Sequence, residues 1–244
     1  MSDKRLPYLD ASAKLAQVNS FIDDFHTYVS DDEFTLIASS SGSATVSDAA
    51  GGVVVLITAA TDNDTTALKQ THETLKIAAN KTIRFDCRAS VTEGNTDDAN
   101  IFLGIINAAA DNDMVDDGAG PRVDFSGASI YKVDGGDNWN CIYSDGTTQS
   151  KVELTAANSL TGTAIYRTSG TMQNFAIEII PTSSTKANIN FYVGELAADL
   201  QLVQRMVDKT YASATECQVE LVVKAGSATV ETLNCDYVAV DQLR

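Results

Sequence analysis

The chain has 244 residues, of which 44% are hydrophobic and 20% charged, so we expect a folded protein with a substantial core. Its formal net charge of −16 disfavours contact with nucleic-acid phosphates and with anionic membranes. No stretch approaches about 18 consecutive apolar residues, and the N-terminus lacks the apolar centre of a secretory signal, so neither a transmembrane helix nor export is expected.

Roughly the first 25 residues lack the alternation typical of strands. We expect residues 1–25 to form an N-terminal arm and residues 26–244 to form a single domain. Asp10 or Ser12 is suited to cap one short helix within 10–25. The arm offers apolar side chains that can anchor it on neighbouring subunits, and these are Leu6, Tyr8, Leu9, Leu15 and Val18. The alternative is that the arm covers an open sheet edge of its own domain.

The rest of the chain consists mainly of short runs in which apolar and polar residues alternate, separated by Gly, Asn, Asp and Ser. This pattern predicts antiparallel strands with one buried face. Within 81–91, every second residue from Ile83 to Ala89 is apolar, so these residues are predicted to share one face. The run 100–107 is apolar at nearly every position, which predicts a strand covered on both faces. Further strands are predicted at 52–58, 128–134, 139–145, 149–155, 174–180, 187–193, 217–223 and 229–240.

With 66–71 counted as a further short strand, the chain offers roughly eleven to thirteen strands, enough for two packed sheets. The sequence therefore predicts an all-β, two-sheet antiparallel sandwich. A second short helix is predicted within 195–206, because Leu196, Leu200 and Val203 have helical spacing.

The four cysteines match no zinc pattern, and they are Cys87, Cys141, Cys217 and Cys235. Buried free thiols are expected in the absence of export. Cys217 and Cys235 lie nearly symmetrically about the turn at 224–227, so a simple hairpin there would place them opposite each other. A disulfide between them is still not expected in a reducing cytoplasm.

Several stretches together resemble the concanavalin-like jelly-roll sandwiches of legume lectins, laminin-G modules and phage virion proteins. "SFIDDF" (20–25) is similar to the opening segment of this group, which lies near the last strand, and 223–242 resembles the closing strand. The segments 53–70, 81–91 and 100–107 resemble the paired and central strands. The chain most resembles the jelly-roll virion protein encoded among the head genes of tailed bacteriophages.

This resemblance implies a structural virion protein that decorates or cements the capsid and has no catalytic activity and no cofactor. Its implied partners are the major capsid protein and other copies of itself in a homo-oligomer. Its implied location is the capsid surface, after assembly in the host cytoplasm. The alternative function is a carbohydrate-binding, lectin-like module of a tail or surface appendage.

Enzymatic chemistry has little support in the residues. Retaining glycosidases need two carboxylates about 5 to 5.5 Å apart, commonly from one strand face. The stretch "FAIEII" carries only Glu178 and "QVELVV" only Glu220, each flanked by apolar residues, and both are expected on solvated faces. The two histidines, His26 and His72, have no nucleophile at a recognised spacing.

A sugar site needs an exposed aromatic ring beside polar groups. Trp139 is the only tryptophan, and Asp137 and Asn138 precede it, which is a suitable composition. The alternative, which we favour, is that Trp139 folds into the core and donates its indole N–H to a nearby carbonyl.

The stretch "ADNDMVDDGAG" (110–120) is a candidate calcium loop, with Asp111, Asp113, Asp116 and Asp117 as ligands. Calcium loops of the EF-hand type alternate their ligands and end on a bidentate acid at the twelfth position. Here the alternation fails, and the twelfth position from Asp111 is Arg122. We therefore expect an acidic surface turn whose side chains bond their own backbone, with calcium as the alternative.

Overall fold

The computed structural model describes residues 18–47, 51–212 and 215–243. In these ranges the chain forms strands that pair antiparallel with their neighbours. They are β1 Val18–Asp23, β2 Phe34–Ala38, β3 Ser43–Ser47, β4 Val53–Ile57, β5 Thr65–Gln70, β6 Leu75–Lys76, β7 Ile83–Thr92, β8 Ala99–Ile106, β9 Met114–Val115, β10 Gly120–Pro121, β11 Ser126–Lys132, β12 Asn140–Asp145, β13 Gln149–Glu153, β14 Gln173–Pro181, β15 Lys186–Gly194, β16 Gln201–Thr210, β17 Glu216–Ala225 and β18 Thr232–Leu243.

Most strands belong to two eight-stranded sheets. The first sheet has the order β16-β15-β14-β7-β18-β4-β3, with β1 also beside β18, and the second has the order β13-β12-β11-β8-β17-β5-β2, with β6 also beside β17. The predicted all-β, two-sheet antiparallel sandwich is confirmed. β9 and β10 form a separate small hairpin.

The main core lies between the two sheets and follows the predicted alternation. On β7 the buried residues Ile83, Phe85 and Cys87 point into this core. The alternate residues Arg84 and Asp86 lie on the outer face of the first sheet, where they pair with each other. This arrangement is what the two-residue period of a pleated strand dictates.

The second sheet is covered on its outer face as well. Every residue of β8 is buried, as the apolar run predicted. Phe102 and Ile106 of β8 pack there in a second apolar cluster with Met114 and Phe125. Met114 and Phe125 belong to the connection between β8 and β11, which we call the cover segment (residues 107–125).

The helix predicted within 195–206 is wrong, and the described part of the helix predicted within 10–25 is a strand. Val18–Asp23 is a strand paired with β18, so the boundary placed at residue 25 falls inside the sandwich, and residues 1–17 lie outside the described ranges. In 195–206 the chain makes one 3-10 turn, Ala197–Asp199, and then enters β16. Register shifts between β15 and β16 let Val203 and Met206 both reach the core, which produces a helix-like spacing within a strand.

The four cysteines are free and buried. Cys217 lies on β17 of the second sheet and Cys235 on β18 of the first, so the turn at 224–227 joins two sheets and does not make a hairpin. Burial is the main cause that raises the pKa of the Cys217 thiol to about 12. In the part of the chain that the structure describes, no helix has the length and apolar character to cross a membrane.

Candidate functional site

The acidic stretch 110–120 forms the tip of the cover segment, with the β9–β10 hairpin at its centre. Asp117 and Gly118 make the turn with φ angles of 53° and 70°, a left-handed conformation that suits Asp and Gly better than most residues. The turn leaves Asp117 and Asp111 exposed and buries Asp113 completely.

Arg122 is the cation that balances the buried Asp113. Its Nε donates to Asp113 Oδ1, and its Nη2 donates to the carbonyl oxygens of Asn107 at 3.0 Å and Ala108 at 3.2 Å. The residue that breaks the calcium template is therefore the one that fixes the two ends of the cover segment to each other.

A second cation, from the second sheet, binds the cover segment. Lys224 of β17 has a side chain that is 3% exposed, and its Nζ donates to Asn112 Oδ1 at 3.2 Å, Met114 O at 2.9 Å and Asp116 Oδ1. These three oxygens come from alternate residues of the loop, as ligands of a bound cation would. The ammonium of the protein itself lies among them.

The four candidate calcium ligands are thus not brought together around one point. Asp113 faces Arg122, Asp116 faces Lys224, and the other two face solvent. Among the described residues there is no group of three or more His, Cys, Asp or Glu side chains placed to hold a metal ion.

Glu220 was expected on a solvated face, and this expectation is wrong. It lies on the outer face of β17 under the cover segment, with 0% exposure, and neither carboxylate oxygen accepts a hydrogen bond from the described residues. Burial is the largest cause that raises its pKa well above the ordinary value, and the neighbouring Asp113 raises it further. The strand alternation predicted the correct face, but no local pattern indicates that a distant loop covers this face.

Glu178 lies on the outer face of the first sheet, away from Glu220. It accepts from Arg84 Nη1 at 2.9 Å and from the Tyr192 hydroxyl at 2.6 Å. Burial alone would raise the pKa of Glu178, but hydrogen bonds from Tyr192 and Asn190 and the charge of Arg84 lower it below its usual value. The two glutamates therefore do not form the close carboxylate pair that a retaining glycosidase needs.

Trp139 is buried at 1% exposure, which rules it out as an exposed platform for a sugar. Its ring packs edge-on against Phe175 with centroids 4.8 Å apart, and its Nε1 donates to Gln173 Oε1 at 3.0 Å. Asp137 is exposed, and Asn138 donates to Glu153 Oε1 at 2.7 Å. The core role was the expectation that we favoured.

An exposed aromatic ring lies close to Trp139 in space, and the sequence did not indicate it. Tyr166 is 51% exposed and lines an open cleft of about 440 Å³ together with Glu195, Asp199 and Gln201. The Gln173 side chain that accepts from Trp139 also donates from Nε2 to the Tyr166 carbonyl at 3.1 Å. We call this site the Tyr166 cleft.

Two further apolar side chains lie beside the Tyr166 cleft. Leu160 is 57% exposed, and its N–H donates to the carbonyl of the cleft residue Val203 at 2.9 Å. Leu196 is 60% exposed and follows the cleft residue Glu195 directly. Three of the eight exposed large apolar residues in the described ranges thus lie in this cleft or next to residues that line it.

No protein-family profile matches the sequence, and no curated protein sequence matches it. Solved structures do match the fold. A protein of unknown function from Shewanella oneidensis aligns with TM-score 0.61 and 9% identity over 93% of this chain and 87% of that chain. Endo-β-1,4-glucuronan lyase from the fungus Trichoderma reesei aligns with TM-score 0.61 and 11% identity over 90% and 94%.

Peanut lectin aligns with TM-score 0.60 and 11% identity, covering 93% of this chain and 98% of that chain. At such low identity these similarities establish the fold alone. The chain has the concanavalin-like, lectin-like jelly-roll fold.

Proposed function

We propose that this protein is a non-catalytic structural protein of a tailed-bacteriophage virion, which decorates or cements the capsid. Its partners in this proposal are the major capsid protein and further copies of itself on the capsid surface. The proposal rests on the resemblance across residues 20–242 together with one structural observation. Three of the acidic side chains that the sequence offered for chemistry, Asp113, Asp116 and Glu178, are each held by a cation of the protein itself.

That observation covers both sheets. On the second sheet, Arg122 and Lys224 bind Asp113 and Asp116 of the cover segment. On the first sheet, Arg84 holds Glu178. Side chains fixed in this way stabilise loops and sheet faces, and they are not poised to transfer protons or to bind a metal ion. A rigid scaffold is the role that such an arrangement favours.

The surface around the Tyr166 cleft is a suitable place for contact with a neighbouring subunit. Exposed apolar residues that cluster are typical of interaction sites, whereas singly scattered ones are not. Tyr166, Leu160 and Leu196 form such a cluster, and aromatic residues carry much of the binding energy at protein interfaces.

Quantitative mass spectrometry of purified virions tests this function. A decoration protein should be present in a small-integer ratio to the major capsid protein, because capsid sites are related by symmetry. Only a few copies per particle would favour a tail location, and absence from the particle would refute the virion role. The double variant Leu160→Ser/Leu196→Ser should fold normally and lose capsid occupancy, whereas Val123→Ser, at an exposed apolar residue of the cover segment, should keep it.

Carbohydrate binding is a second candidate, and the Tyr166 cleft is the observation that favours it. An exposed ring beside carboxylate and amide groups offers a stacking face and hydrogen-bond partners for a sugar. The shared fold with peanut lectin agrees with this candidate. A glycan array tests it with the wild type, Tyr166→Ala and the control Val123→Ala. Binding that only Tyr166→Ala abolishes would support the candidate, and a wild type that binds no glycan would refute it.

A further inference from the structure

We propose that the cover segment is a proton-controlled lid on the outer face of the second sheet, closed while Glu220 is neutral beside Asp113 and loosened when Glu220 ionises. This inference does not depend on either function proposed above.

Two buried carboxyl groups, those of Glu220 and Asp113, lie next to each other, and only one of them is bound by a cation. Glu220 and Asp113 are both 0% exposed, one on the sheet and one on the cover segment. Arg122 donates hydrogen bonds to Asp113, to Asp124 and to two carbonyl oxygens, and it donates none to Glu220. Lys69 is opposite Glu220 on β5, but neither Lys69 nor another cation donates to the oxygens of Glu220, and the side chain within hydrogen-bonding reach of Glu220 is the Asp113 carboxyl.

The other strands that pack beside Glu220 add no charge at this point. Its neighbour on β8 is Gly104, and its same-face neighbours on β17 are Gln218 and Val222. The charged groups that face Glu220 are therefore Asp113 and Arg122 from the cover segment and Lys69 from β5. A neutral Glu220 can donate its O–H to the Asp113 carboxylate, which joins the sheet to the lid through one proton.

The direction of the pH effect follows from these contacts. Burial first and Asp113 second raise the pKa of Glu220, while Arg122 and Lys69 oppose this shift. Because the folded pKa lies above the unfolded value, the stabilisation is complete at acidic pH and is lost as pH rises through the folded pKa. Above that pH the proton leaves to solvent, and two adjacent buried carboxylates repel each other across the lid contact.

Loosening the lid would uncover apolar surface. Met114 and Phe125 of the cover segment pack on Phe102, Ile142 and Val222 of the sheet. The lid is therefore a means of presenting an apolar face at higher pH and hiding it at lower pH.

Methyl NMR on protein labelled with [methyl-¹³C]methionine tests the lid directly. The chain has four methionines, so the spectrum is simple; Met114 lies on the inner side of the lid, whereas Met206 lies in the main core. A titration from about pH 4 to about pH 9 should shift or broaden the Met114 signal in the wild type and leave Met206 in place. Glu220→Gln, which keeps the shape and removes the charge, should abolish the Met114 transition.

Glu231→Gln is the matched control. Burial raises the pKa of Glu231 to about 7, so this carboxyl titrates in the same range, but it lies away from the lid beside Gly94 and Thr229. This variant should keep the Met114 transition. A wild-type Met114 signal that does not change with pH, or an unchanged transition in Glu220→Gln, would overturn the proposal. If Glu220→Gln fails to fold, the ¹³C carboxyl titration of Glu220 in the wild type decides, since the proposal requires the same midpoint as Met114.

Discussion

The cover segment and the Tyr166 cleft are built on two long connections of the same sandwich, and they use their side chains in opposite ways. The cover segment turns Asp113 inward to complete burial, and the nearly buried Lys224 of β17 binds the Met114 carbonyl and Asp116 of this segment. In the connection that carries Tyr166, the Tyr166 carbonyl accepts a hydrogen bond from Gln173, and the aromatic ring faces solvent. The residue composition of a loop therefore does not show whether the loop forms a binding site. The acidic loop looked functional and is internally satisfied, whereas the unremarked tyrosine lines the cleft.

The two neighbouring aromatic residues should differ most in their effect on stability. Trp139→Ala removes a buried ring and its bond to Gln173, so we expect a loss of about 3 to 5 kcal/mol in the free energy of unfolding. Tyr166→Ala removes a half-exposed ring and should cost less than about 0.5 kcal/mol. Urea unfolding measures both. Equal losses for the two variants would contradict the assignment of one ring to the core and the other to the surface.

Arg122 binds one buried and one exposed carboxylate, which gives an internal control. Arg122→Met leaves the buried Asp113 without its cation and should cost about 3 kcal/mol. Asp124→Asn removes only the exposed partner, whose side chain is 70% exposed, and should change stability very little. Chemical denaturation of the two variants provides the measurement, and a mild effect of Arg122→Met would argue that the cover segment is not held by this pair.

Lys224→Met should have an intermediate effect. The substitution leaves the Met114 carbonyl without its donor and frees Asp116 into solvent, so we expect a loss of about 2 kcal/mol. Hydrogen exchange should become faster in residues 107–125 and stay unchanged in β7. Uniform acceleration across the whole sandwich would contradict a local role for the ammonium.

Calcium should have the smallest effect. Because Arg122 and Lys224 already bind Asp113 and Asp116, neither EDTA nor added calcium should change the melting temperature of the wild type. Lys224→Met should behave in the same way, since Asn112, Met114 and Asp116 supply fewer oxygens than the six to eight that calcium takes. A saturable rise in melting temperature with calcium would restore the metal site as a working hypothesis.

The strands could be predicted well because alternation is a local property. The core face of β7 and the double burial of β8 both follow from the spacing of apolar residues. The helix prediction at 195–206 failed because Leu196, Leu200 and Val203 do not share one buried face: Leu196 is exposed, and only Val203, in β16, reaches the core. Residues 1–17, which include Leu6, Tyr8, Leu9 and Leu15, lie outside the described ranges, and their role in partner binding stays a prediction.

The candidate sites were harder to predict because they depend on residues far apart in the chain. Lys224 reaches a loop more than one hundred positions earlier, and Glu220 is buried by that same loop. The environment of a charged side chain is set by whatever packs over it, which no local pattern contains. Trp139, the tryptophan that the sequence offered for a sugar site, lies beneath the Tyr166 cleft, and only packing decided this position.

The all-β sandwich could be read from the sequence alone. Side chains of a strand alternate between its two faces, so apolar residues at every second position mark the buried face. Only the tertiary structure decided which strands share a sheet, so that Cys217 and Cys235 lie on opposite sheets. It also decided which carboxylates meet a cation and which aromatic ring faces solvent. These outcomes depend on contacts between distant segments, and such contacts exist only once the two sheets have packed.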